Sequence, residues 1–265
     1  MISRHIISLG VEIECGIDKN EFMKLKRYVA RNKLYDYFYA DSDCSVNVST
    51  KEIYDAELKY WNTDLEKIFK FAKYLYNNCK IKTNNSCGLH IHIRLNDEKY
   101  SILACQKGID YFINAYSKKF KSKSKYMNRL TNSYCNAKNL TEATVNNQVY
   151  GYGTRYRAIN FVSLSERQKT LEFRIFPHQT TYSEFEQTIK WFIKTIDNLY
   201  RKHQVIKSSN LSLAKYKRQP TFKSETIYIH KLKPIKLSLG EQLATFGSIF
   251  TKQQNKKGAV VSCAK

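Results

Sequence analysis

Apolar and polar residues alternate in several short stretches of the chain, and between them apolar residues recur at helical spacing. Residues 6–14 (IISLGVEIE) alternate as a strand does. Residues 20–33 carry an apolar face at helical spacing, with Asn20 as the expected cap. Residues 35–40 (YDYFYA) are aromatic-rich and strand-like, and 44–58 have room for two short strands. A second helix is predicted over 62–78, capped by Asn62 or Thr63. Asn84, Asn85 and Ser86 mark a turn before the strand GLHIHI at 88–93. Residues 97–117 predict a third helix, and 118–129 (KKFKSKSKYMNR) a basic loop. Adjacent strands are expected at 155–163 and 170–176, then a closing helix over 181–203 capped by Thr181 or Ser183. This order predicts one α+β domain over residues 1–205, with helices packed on one sheet face. Beyond 205 the periodicity fades. A short helix over 238–250 and a disordered end over 251–265 are expected within a separate extension, residues 206–265.

Three of the strands carry one device. Glu12 and Glu14 stand two apart in GVEIE, His90 and His92 in GLHIHI, and Glu172 and Arg174 in LEFRIF. A strand turns such pairs to one face, while Val11, Ile13, Leu89, Ile91, Phe173 and Ile175 point to the other. Each pair alone fits a solvated face or a cross-strand ion pair. Three together, on strands that alternate with core residues, point to a site, because unpaired charges beside a core are costly. The set is rich in carboxylates and has no thiolate, which suits Mg²⁺ or Mn²⁺. No H-E-x-x-H occurs, nor a G-x-x-x-x-G-K-[ST] loop, so a nucleotide would have to lie on the sheet itself. Arg174 beside a metal suits an anion such as phosphate.

Charge adds a partner class. The net charge is +22, and half of it lies in residues 202–265, which hold 13 Lys or Arg against 2 Glu. Such a balance favours an anionic partner: nucleotide, nucleic acid or an acidic polymer. The seven cysteines form no C-x-x-C pair, which argues against a zinc ribbon and a dithiol motif. No run is long enough for a membrane-spanning helix, and the first residues meet acids too early for a secretory signal, so a cytosolic location is expected.

GVEIE, the D-x-S of Asp43 and Ser45, the acidic strand with Glu57, SCGLHIHI, RYRAINF and TLEFRIF resemble the amidoligase family over roughly residues 7–200. That family is related to glutamine synthetase and other carboxylate–amine ligases. The resemblance implies a curved, mostly antiparallel sheet forming a half-open funnel, with helices on its outer face. It implies ATP, two or more Mg²⁺ or Mn²⁺ ions, an acyl-phosphate intermediate, and an amine that attacks it to form an amide. It assigns Glu12, His90 and Glu172 to the ion bridging the ATP phosphates, and Glu14 and Glu57 to a second ion. It assigns His92 to ATP, Arg174 and Arg157 to the transferring phosphoryl group, and Asn160 to substrate orientation. Two positions have rivals: Glu52 for Glu57, and Asp41 for Asp43 as the catalytic aspartate. Glu57-Leu-Lys-Tyr-Trp61 departs from the family, which tends to place a Ser-Pro-like turn after the acidic strand.

Weaker features are the turn-forming Tyr150-Gly-Tyr-Gly153, a lid or a plain turn, and Lys118–Arg129, which would steer an anion or simply be solvated. Two other functions compete with the ligase. A nucleic-acid-binding protein on a ligase-derived fold explains the charge but not the three pairs. A metal-dependent hydrolase or nuclease explains a metal site but not Arg174 with Arg157.

Overall fold

The computed structural model describes residues 2–3, 5–34, 37–42, 45–48, 53–95, 100–138, 140–149, 153–164 and 170–203. The expected extension over 206–265 lies outside them, as do Asp43, Glu52 and 150–152.

The elements in chain order are β1 (Ile6–Asp18), α1 (Lys19–Arg31), β2 (Phe38–Asp41), β3 (Ile53–Asn62), α2 (Leu65–Asn78), β4 (Ile81–Lys82) and β5 (Gly88–Leu95). Then come α3 (Tyr100–Ala104), α4 (Gln106–Phe120), α5 (Ser124–Arg129), α6 (Glu142–Val149), β6 (Ile159–Asn160), β7 (Leu171–Pro177) and α7 (Tyr182–His203). The strands form one open sheet in the order β2-β3-β1-β5-β7-β6, with β4 on the end of β1. Every pairing between them is antiparallel. The class is α+β.

Register decides what each face carries. One row across six strands is wholly apolar: Phe38, Tyr60, Val11, Ile91, Phe173 and Ile159. Helices cover that face. Tyr60 stacks on Phe71 of α2 with ring centroids 4.7 Å apart. Phe173 meets Phe112 of α4 and Phe192 of α7, each at 4.8 Å. Phe38 is half-buried at the sheet edge, whereas the other five strand residues and Phe71, Phe112 and Phe192 are nearly or wholly removed from water, and each buried side chain of this size contributes about 1.5–3 kcal/mol. A shift of one residue along every strand passes from this core row to the polar face.

Several boundaries differ from the sequence reading. Asp18 caps α1, accepting from the amides of Asn20 and Glu21 at 2.8 and 2.9 Å. Asp64 caps α2, accepting from the Glu66 amide. The start of α7 agrees with that reading: the Thr181 hydroxyl, one of the two expected caps, accepts from the Glu184 amide. Two short strands were expected over 44–58, of which 44 and 49–52 lie outside the described residues; one strand runs over Ile53–Asn62 and pairs with β1 without a break. The helical pattern over 97–117 divides into α3 and α4, and the expected basic loop holds the end of α4 and all of α5. There Tyr126 and Arg129 are buried, so that segment is packed and not merely solvated. The expected strand over 155–163 shrinks to Ile159–Asn160. Helix α6 and strand β4 had no clear pattern. No helix among the described residues is long and apolar enough to cross a membrane.

Candidate functional site

Two rows on the polar face build the site. Lys59, Glu12 and His90 lie opposite one another on β3, β1 and β5. The next row runs Trp61, Gly10, His92, Glu172 and Asn160 over five strands. Glu14 faces Glu57 one row further along. Between Leu89 and Ile91 strand β7 runs one residue longer than β5, a bulge that places Arg174 and Ile175 together opposite His90. The three pairs read from the sequence thus sit on three adjacent strands.

The side chains converge. His90 Nδ1 lies 3.1 Å from Glu12 Oε2 and 3.3 Å from Glu172 Oε1, and its Nε2 lies 3.4 Å from Glu14 Oε1. His92 Nε2 lies 3.1 Å from Glu12 Oε1 and 3.9 Å from Glu172 Oε1. Arg174 Nη1 donates to Glu172 Oε1 and Asn160 Nδ2 to Glu172 Oε2, both at 2.6 Å. Asn160 Oδ1 accepts from the Val162 amide, so its side chain is held at both ends and serves to fix Glu172. Glu14 accepts from the Gly88 amide. A Cβ at Gly88 would stand 2.7 Å from Arg129 Nη2 and 3.0 Å from Glu14 Oε2, so a side chain there would push these groups out of place.

Glu14, Glu57, His90, Glu172 and Arg174 are all buried, so charge is decided by neighbours rather than by water. Burial alone would raise Glu172, but Arg174 and the two imidazoles outweigh it and hold the carboxyl below its usual range. Glu12 is held well below its usual range, against burial, by His92 and His90. Burial, then the Glu12 carboxylate, push Glu57 up to about 9. His92 is raised, Glu12 and Glu172 overcoming its burial.

These groups suit a hard divalent cation. Two sets have ligand atoms all within 4.8 Å of one another: Glu12, His92 and Glu172, and Glu12, Glu57 and His90. In the first, His92 Nε2 is shielded from water, 3.1 Å from Glu12 Oε1 and 3.9 Å from Glu172 Oε1, and makes no well-formed hydrogen bond. A buried nitrogen beside two carboxylates without a hydrogen bond is placed as a ligand atom would be. Its other nitrogen, Nδ1, lies 3.3 Å from Thr170 Oγ1, which fixes the ring. The expected allotment placed His90 with Glu12 and Glu172, whose carboxylate oxygens lie 3.1 and 3.3 Å from its Nδ1, and Glu57 with Glu14, which it faces across β1 and β3.

Of the other expected residues, Asp43 and Glu52 lie outside the described residues. Arg157 is half-buried and donates to the Lys138 carbonyl at 3.3 Å; among the described residues no carboxylate pairs with it. Asp41, on β2, lies directly opposite Glu57 on β3, and its carboxylate accepts from the adjacent Ser42 amide. Lys59 and Arg129 were missed. Lys59 stands two residues from Glu57, the same spacing as the other pairs, and that was its signal. Arg129 donates to the Arg174 carbonyl at 2.8 Å from a position that reads as part of a charged loop.

A family model described as "Putative amidoligase enzyme" matches residues 24–196, more than half of the chain. The matched stretch begins after Glu12 and Glu14. No curated protein and no solved structure matches the sequence.

Proposed function

The chain belongs to the amidoligase family, and on that premise we propose that it is an ATP-dependent carboxylate–amine ligase. The observation that carries this reading is the convergence of four carboxylates, two imidazoles and Arg174 on one sheet face. Glu12, His92 and Glu172 would hold a divalent cation, Mg²⁺ or Mn²⁺. That ion would supply charge neutralisation for the phosphate oxygens. Arg174, already fixed by Glu172 and by the Tyr134 carbonyl, supplies a rigid guanidinium for the transferring phosphoryl group. A substrate carboxylate oxygen attacks the terminal phosphorus of ATP and ADP leaves. An amine nitrogen then attacks the acyl carbon, phosphate leaves with the old carboxylate oxygen, and the amine gives up a proton. Asn160 keeps Glu172 in position throughout.

The test is a trapping assay. Hydroxylamine with ATP, Mg²⁺ and a panel of carboxylates is expected to give a hydroxamate and one ADP per hydroxamate. ADP release that ignores the carboxylate, or cleavage of DNA or RNA with metal alone, would favour the hydrolase reading instead.

The same face offers a place for the base. Trp61 is 45% exposed and Tyr39 48% exposed on neighbouring strands beside this row. Gly10 separates Trp61 from His92, and a Cβ there would stand 3.3 Å from Trp61 Cβ and 3.4 Å from His92 Cβ. Trp61 is two strand spacings from His92, ~10 Å, which a triphosphate chain spans. Trp61 is one of two tryptophans, and Trp191 packs among Phe112, Tyr116 and Phe120. ATP with Mg²⁺ is therefore expected to quench part of the indole emission, and Trp61→Phe to remove that quenching. Undiminished quenching in Trp61→Phe would place the base elsewhere.

A further inference from the structure

Lys59 lies where a second ion of a paired-metal site would be. Its Nζ stands 2.6 Å from Glu57 Oε2 and 3.5 Å from Glu12 Oε1. Those two carboxylates belong to the second set of possible ligands, with His90. An ion bound by Glu12 and Glu57 must come within about 2.0–2.6 Å of an oxygen of each. The ammonium already lies between the same two groups, and two cations cannot share that space.

The lysine is built in. It is directly opposite Glu12 in the β1–β3 register and two residues from Glu57 on the same face of the same strand. Tyr39 lies opposite it on β2, so its strand is paired on both sides. Its side chain is 28% exposed, its stem largely covered. A residue so placed cannot leave by loop movement. It can only swing within the face, and doing so would abandon two carboxylates.

We propose that the Lys59 ammonium replaces the second divalent ion, so that this ligase works with one ion, at Glu12, His92 and Glu172, and one fixed organic cation. This rests on the ligase reading for the first ion, and refines it for the second. Lys59 is then the group that meets the acyl-phosphate oxygens on the Glu57 side. As an ammonium it donates hydrogen bonds and supplies a single charge without demanding an octahedral shell. It also removes one dependence on metal supply: activity would follow metal concentration with no second, weaker phase.

Mn²⁺ titration followed by electron paramagnetic resonance and by calorimetry counts ions directly, without turnover. The wild-type chain is expected to bind about one Mn²⁺, Lys59→Met about two, and Lys59→Arg about one. Glu172→Gln is expected to weaken the first ion by more than about 100-fold. Two ions on the wild type, or one on a folded Lys59→Met, overturns the replacement by Lys59 and leaves the ligase reading standing. No Mn²⁺ on the wild type, or affinity indifferent to Glu172→Gln, overturns the first site and with it the proposal. If Lys59→Met does not fold, as judged by circular dichroism, the wild-type count and Lys59→Arg still decide: two ions on either sinks the idea.

Discussion

Glu172→Gln is expected to lower the affinity for Mn²⁺, and the rate of ADP release, by more than about 100-fold, a larger loss than partners outside the ligand sphere cause. Glu172 is the hub of the site: Arg174, Asn160, His90 and His92 all lie within 4 Å of its carboxylate. Glutamine keeps the shape but offers one acceptor where two donors, Arg174 Nη1 and Asn160 Nδ2, now aim at separate oxygens. One donor must face an NH₂ group, which costs about 1–3 kcal/mol. The stability effect has a pH signature. Glu172 and Glu12 have folded-state pKa values below their usual range, so their contribution is complete above the unfolded carboxylate pKa and is lost as pH falls through the folded values. The variant should therefore lose less stability on acidification than the wild type, between about pH 4.5 and the lower folded-state values. Equal acid sensitivity in chemical denaturation would show that Glu172 is not the ionised centre described. Normal Mn²⁺ affinity would remove it from the ligand set.

The alternation of polar and apolar residues made the core and the three pairs legible, because a period of two needs no knowledge of the neighbouring strand. The row of Val11, Ile91 and Phe173 and the row of Glu12 and His90 follow from it once the strands pair. What alternation does not contain is register. Nothing in the sequence says that His92 and not His90 stands opposite Glu172, or that a bulge brings Arg174 beside His90. The distances of the two imidazoles from each carboxylate could not be read for that reason. Lys59 was hidden differently. It obeys the same spacing from Glu57, but a lysine on a strand is commonly solvent-facing, and only the Glu12–Lys59 pairing makes it part of the site. Arg129 lay in a lysine-rich stretch, where charge density masked the helical placement of Tyr126 and Arg129 toward the interior. Caps erred for a local reason: Asp18 and Asp64 precede their helices beside other capping residues, and Asx chemistry does not choose among neighbours.

Arg174→Met is expected to cost about 3–5 kcal/mol of folding stability, as removal of one partner from a buried ion pair does. Arg174 is 7% exposed and its Nη1 is 2.6 Å from Glu172, itself 4% exposed. Methionine fills much of the stem's volume, so packing is largely kept and the loss reports the stranded carboxylate. Arg174→Lys retains charge but not the planar fork that reaches both Glu172 and the Tyr134 carbonyl, and should fall between. Divalent ions separate the structural role of Arg174 from that of its partner. If Glu172 is a ligand, Mn²⁺ offsets the charge that Arg174 leaves behind, and binds the variant more tightly than the wild type. Since stabilisation by a ligand grows as RT ln(1 + [L]/Kd), saturating Mn²⁺ should then raise the melting temperature of Arg174→Met by more degrees than that of the wild type. Turnover should stay lost in the rescued protein, because the guanidinium proposed to meet the phosphoryl group is gone. An equal or smaller Mn²⁺ shift would mean that Glu172 turns toward Arg174 alone, and that the ion, wherever it binds, does not share that carboxylate.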